Sequence, residues 1–180
     1  INSDIEFTRY MKSAGLTDEK GTVILDPNRK FERGVIRTVA KRHTQAKQSG
    51  ALIGRLGLVI DGTGANSGKL LKQKKTLESL GYECLMVYVN LSLEGSIEAD
   101  RQRGLDGDRT IGPELVTTKW KELQSGLDPF KKSFGKLFFE IDNSVREKTP
   151  ISVRKVLNFI VKWSKTMPKN KAAKKWMDAN

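Results

Sequence analysis

Apolar positions along the chain fall partly in short unbroken runs and partly at helical spacing. Residues 56–60 are apolar or glycine, end at Asp61 and pass into a glycine-rich turn. Such a run predicts a buried parallel strand that delivers an acid to the C-terminal edge of an α/β sheet. Residues 83–90 and 136–142 read as two more strands, and residues 1–4 as the end of another. Helical patterns lie between them. Residues 5–14 precede Gly15, and 30–49 carry Phe31, Val35, Val39 and Ala46 on one side before Gly50. Residues 69–80 precede Gly81, 92–103 open on Ser92, and 113–125 open on Pro113. Residues 151–165 show Val153, Val156, Leu157, Ile160 and Val161 as an apolar stripe. A short apolar piece at 23–25 is broken by Asp26 and Pro27. From Met167 onward the chain is basic, lacks a clear cap and is expected to fray. Short strands alternating with helices predict an α/β fold with a mostly parallel sheet.

Composition narrows the picture. The 180 residues are enough for one domain with a real core. No apolar run approaches the roughly 18 residues of a membrane span. The single Cys84 sits in an apolar run and has no disulfide partner, which fits a packed thiol and a reducing, cytoplasmic setting. His43 stands alone on its helix and reads as a solvated or satisfied residue. The net charge of +12 is uneven: residues 146–180 hold ten Lys/Arg and two Asp/Glu, so +8, leaving +4 for residues 1–145.

The segment from Thr63 to Leu70, with Gly68 and Lys69 inside it, invites comparison with the phosphate loop G-x-x-x-x-G-K-[ST]. That loop wraps phosphates in backbone N–H groups and binds Mg²⁺ through its hydroxyl. Here Thr63 stands where the first glycine belongs, and Leu70 replaces the hydroxyl residue. The segment therefore reads as an acid-bearing strand and turn followed by an ordinary helix. Lys69, Lys72, Lys74 and Lys75 read as the wet face of that helix, with a phosphate-facing patch as the alternative.

The order INSD, VIDGTG, LESLGYECLMVYVNLSLE, ADRQRGLDGDRTIGPELVTTKW and FFEIDNS resembles the zeta-toxin-like branch of P-loop kinases and similar small phage-encoded kinases. The similarity spans residues 1–145, and no single motif in it is strong. It implies a three-layer P-loop NTPase-like fold whose first strand and phosphate loop would precede Ile1. On this reading residues 1–145 form an N-terminally incomplete kinase-like domain with a lid-like segment at 92–126. Residues 146–180 form a basic C-terminal helix and tail. The complete protein would use ATP and Mg²⁺, and the 180 residues alone would be inactive.

The resemblance also implies roles. Asp4 takes or positions the proton of the acceptor hydroxyl. Asp61 and Thr63 contact the acceptor, and Asp61 reaches Mg²⁺ through water. Arg101, Arg103 and Arg109 lie in the lid, where guanidinium groups stabilise transferring phosphate. Each has a plainer reading: Asp4 as a helix cap, Asp61 as an acceptor of the glycine turn's N–H groups, Arg101 and Arg103 as cations at a helix end, and Arg109 paired with Asp108. Asp142 and Asn143 close the last strand without an assigned role. The acceptor is a nucleotide-sugar, a nucleotide or a polynucleotide hydroxyl.

The alternative class is a non-catalytic nucleic-acid-binding module. It rests on the basic tail with Trp163 and Trp176 among lysines, which supply phosphate affinity and stacking. The two classes part on salt and on response to ATP·Mg²⁺.

Overall fold

The computed structural model describes every residue except 20, 24–26, 108, 145–147 and 180. Part of the apolar piece at 23–25, its break at Asp26 and the Asp108 partner of Arg109 thus lie outside the described residues. The rest falls into two compact units, Ile1–Thr63 with Glu98–Gly112, and Gly64–Ile97 with Pro113–Asn180.

In the first unit, Asn2 opens helix α1 (Ser3–Ser13). Its backbone is extended, and its side-chain oxygen accepts the Asp4 N–H at 2.7 Å. Asp4 and Glu6 fill the first turn, where the helix dipole favours negative charge. The cap at Asn2 is why residues 3 and 4 are helical instead of ending a strand. Helix α2 (Lys30–Ile53) runs through Gly50 and stops only at Gly54. The two helices pack around Phe7, Met11 and Ala40, joined by Leu16 and Val23, with Tyr10 and Ile36 alongside.

The face that α2 turns to α1 is not its apolar stripe. Phe31, Val35 and Val39 are exposed. The contact instead runs through Ile36, Ala40, His43 and Lys47 because α1 presents a buried carboxylate, Glu6. Lys47 donates to Glu6 Oε1, and Arg9 lies 2.7 Å from Oε2. His43 Nδ1 is 3.5 Å from Oε2 and 3.0 Å from the Tyr10 hydroxyl, so this histidine is satisfied within the helix pair. A buried charge left without partners costs far more than an exposed valine, so charge pairing sets the rotation of α2.

The Lys47 hydrogen bond, aided by the charges of Arg9 and His43, holds the Glu6 carboxyl below its ordinary range against the opposing effect of burial. A depressed carboxylate contributes stability that is present above its unfolded pKa of about 4.3 and is lost as pH falls through the folded value. Glu6→Gln is therefore expected to lower the melting temperature at pH 7. The gap to wild type should shrink as a series of melts is taken from about pH 5 downward.

Residues 56–61 belong to no assigned strand, and Leu56, Val59 and Ile60 are exposed. The expected buried strand is not formed: among the described residues it is backed at Ile1 alone instead of by a full strand. The Ile1 amino group donates to the Val59 carbonyl, and the Asp61 N–H donates to the Ile1 carbonyl at 3.2 Å. These two bonds make one step of a parallel ladder and fix Asp61 beside the start of α1.

In the second unit Asn66 caps helix α3 (Ser67–Ser79) by accepting the Lys69 N–H at 2.9 Å, an ordinary helix start. Strand β1 (Met86–Asn90) pairs in parallel with β2 (Phe138–Asp142), Met86 opposite Phe138 and Asn90 opposite Asp142. Both strands are shorter than their apolar runs. Between them lie α4 (Leu93–Leu105), α5 (Pro113–Ser125) and α6 (Leu127–Phe134). The Ser92 hydroxyl accepts the Gly95 N–H at 3.0 Å at the head of α4, and Pro113 opens α5. The division between the two units falls within α4. Buried side chains of this unit include Leu77, Tyr88, Val116, Phe130, Phe134 and Ile141. Burial raises the Cys84 thiol pKa, in keeping with a packed residue.

Helix α7 (Thr149–Trp163) buries Val156 and leaves Leu157 and Val161 exposed, so only part of its stripe is core. The described residues past Met167 do not fray as expected. They form α8 (Lys171–Asp178), whose cap is Asn170. The chain is mixed α/β and mostly helical, with a two-stranded parallel sheet among the described residues.

Candidate functional site

The first unit gathers charges from three distant segments at the head of α1. Asp4 follows the capping residue, so its backbone N–H is satisfied while its carboxylate projects, about half exposed. Arg37, from α2, donates to Asp4 Oδ1 at 2.6 Å. Arg109 Nη2 lies 3.6 Å from the same oxygen. Both guanidinium groups also sit over the ring of the buried Phe7, Arg37 at 3.8 Å from its centroid and Arg109 at 5.4 Å. The ring is a platform that orients two cations toward one carboxylate.

Asn2 ties the second acid to this group. Its Oδ1 caps α1, and its Nδ2 donates to Asp61 Oδ2 at 2.7 Å. One asparagine thereby links Asp61 to the helix turn that carries Asp4.

The stretch holding Arg109 is set by Asp100. This buried carboxylate accepts the Ile111 N–H at 3.1 Å and the Gly112 N–H at 3.0 Å. Gly104 makes room for Thr110: a Cβ at Gly104 would stand 2.6 Å from Thr110 Cγ2. Arg109 is thus held on a loop whose return is fastened to α4.

Of the residues singled out from sequence, Asp4, Asp61 and Arg109 converge. Arg101 makes a bidentate pair with Glu98 at 2.6 and 2.7 Å along α4, and both are more than half exposed. Arg103 lies 4.0 Å from Asp100 and is also mostly exposed. Among the described residues neither pairs with Asp4. Thr63 is exposed and makes no hydrogen bond there. Asp142 accepts the Ser144 N–H at 2.8 Å, a bond that lowers its pKa, and so serves the end of β2.

Asn2, Phe7, Arg37 and Asp100 escaped the sequence reading. Asn2 carries a usable signal, a capping residue ahead of an acidic first turn. Arg37 and Asp100 carry none, since each finds its partner only across the fold or a loop.

The arrangement offers two exposed carboxylates and two partly buried guanidinium groups near the head of α1. Among the described residues no three His, Cys, Asp or Glu side chains stand together as a metal site. Compared with known proteins, the chain matches no family model, no curated protein and no solved structure.

Proposed function

We propose that the chain is the acceptor side of an ATP-dependent phosphotransferase of the zeta-toxin-like P-loop class. The acceptor is a nucleotide-sugar, nucleotide or polynucleotide hydroxyl. One observation carries the reading: the acid, the acceptor-side carboxylate and the lid arginine that the resemblance singles out come together through Asn2, Phe7 and Arg37. The three-layer sheet and the phosphate loop belong to the same proposal. Residues 63–70 are not offered as that loop, since Thr63 and Leu70 stand where it needs a glycine and a hydroxyl residue.

Asp4 takes the proton of the acceptor hydroxyl, and Asp61 orients the acceptor. The guanidinium groups of Arg37 and Arg109 are the donors that a phosphoryl group recruits. As they turn from Asp4 to phosphate, the carboxylate is left to accept the proton. Phe7 keeps both cations in place during that exchange. ATP enters as a substrate. Asp4 and Asp61 do not amount to a metal cage, so Mg²⁺ would rest chiefly on the substrate phosphates, as is usual for that ion.

Steady-state kinetics of Arg109→Ala in the natural full-length chain test the reading. Loss of a donor aimed at developing charge should lower kcat by about 10²–10³-fold, with little change in KM for the acceptor. An unchanged kcat in an active enzyme would remove Arg109 from the chemistry.

A further inference from the structure

The positive charge is divided unequally between the two units. The unit containing α8 holds 19 Lys/Arg against 10 Asp/Glu, so +9 of the net +12, and the other holds 14 against 11, so +3. The end of this excess is built into a fixed position. Asn170 Oδ1 accepts the Ala172 N–H at 2.8 Å, capping α8. Its Nδ2 donates to the carbonyls of Glu78 at 2.7 Å and Tyr82 at 3.2 Å, at the turn that follows α3. The Glu83 carboxylate accepts the backbone N–H groups of Lys169 and Asn170, the latter at 3.1 Å. Gly81 completes the fit: with φ +98 it accepts no ordinary side chain, and a Cβ there would stand 3.1 Å from Ala173 N. Glu78 at the end of α3, Gly81, Tyr82 and Glu83 after it, and Asn170 together hold down an eight-residue helix.

The rotation of α8 follows from this tether. Residues 172, 173, 176 and 177 share one face, and Ala173 on that face meets Gly81. Lys171, Lys174 and Lys175, at i, i+3 and i+4, share the opposite face, and all three are exposed. Among the described residues none of them has a carboxylate at ion-pair distance, although Asp178 lies on the same face. Lys72 and Lys75 are exposed on α3, the helix to whose end α8 is tied. Trp176 and Met177, on the face opposite the lysines, are exposed as well.

We infer that the lysine face of α8 is a docking surface for the phosphate backbone of a nucleic-acid duplex, independent of the sequence of bases. Charge complementarity selects the partner: the face presents ammonium groups about one helical turn apart and no base-reading side chain. The exposed Trp176 and Met177 on the other face would also suit an interfacial membrane helix, and binding to vesicles separates the two partners. The proposal does not depend on phosphotransfer by the other unit.

Three phosphate contacts contribute about −2.7 to the slope of log affinity against log salt on duplex DNA. They lose about 40-fold between about 50 and 200 mM salt. The test is fluorescence anisotropy with a labelled duplex of about 20 base pairs across that salt range. The proteins compared are the wild type, the triple variant K171A/K174A/K175A and the control K121A/K132A/K136A, which removes the same charge from other exposed lysines. Alanine at exposed helical lysines keeps helix propensity, and circular dichroism checks the fold. The α8 variant is expected to bind at least about 10-fold more weakly at about 100 mM salt, with a slope shallower by about 2–3, while the control stays within about threefold of wild type. Equal losses in both variants, or no wild-type binding, would overturn the assignment. So would α8-dependent binding to vesicles of phosphatidylserine and phosphatidylcholine without binding to the duplex.

Discussion

Asp4→Ala is expected to reduce phosphoryl transfer by about 10²–10⁴-fold, the usual weight of a positioned general base, and to leave nucleotide affinity nearly unchanged. The structure separates this loss from misfolding. The Asn2 cap bonds to the backbone of Asp4, so removal of the carboxylate leaves α1 capped. The Asp4 side chain is about half exposed, and its pairs with Arg37 and Arg109 stabilise by no more than about 1 kcal/mol at such a site. Urea denaturation of the variant should therefore stay close to wild type while initial rates of acceptor phosphorylation collapse. Wild-type rates in the variant would remove Asp4 from the mechanism.

Phe7→Ala is expected to lower the stability of the first unit by about 3–5 kcal/mol, the cost of removing a buried aromatic side chain and leaving a cavity. Phe7 is 2% exposed and belongs to the cluster with Met11, Leu16, Val23 and Ala40. Its ring also carries Arg37 and Arg109, each such contact adding about 0.5–1 kcal/mol at a partly exposed position. Phe7→Leu discriminates between the two roles. Leucine fills much of the space, so denaturation should show a smaller loss than with alanine, but it offers the guanidinium groups no π face. The expected result is a stable variant with reduced transfer. If Phe7→Leu transfers phosphate as wild type does, the ring serves the core alone.

The readable parts of this chain are those with local causes. Pro113 and the pattern after it locate α5 to the residue, and Gly81 ends α3 as its place past the helical pattern predicts. The parallel pairing of β1 with β2 agrees with their apolar runs. Other features depend on partners far away in sequence. The apolar stripe of α2 points outward because Glu6, on another helix, needs Lys47, Arg9 and His43 around it. Helix α8 has an apolar and a lysine face, but its position comes from Glu83, Asn170 and Gly81, far away in sequence or outside the helix. Residues 56–60 look like a central strand by composition, but a strand also needs neighbours, and the described bonds to residues 59 and 61 come from Ile1. The site divides the same way. Asp4, Asp61 and Arg109, which the resemblance singles out, lie near one another in the first unit. Arg37 was one arginine among several on a basic helix until α1 packed against it, and Asp100 was one more helix acid until the loop returned to it.

The most direct measurement is phosphorus NMR of ATP·Mg²⁺ incubated with the natural full-length chain and, in turn, nucleotide-sugars, nucleotides and oligonucleotides bearing a free 5′-hydroxyl. Asp4→Asn is run beside the wild type. With one of these acceptors, the account predicts a new phosphomonoester resonance that grows with wild-type protein and is absent or at least about 100-fold slower with the variant. No transfer to any acceptor by the wild type, or equal transfer by both proteins, would contradict it.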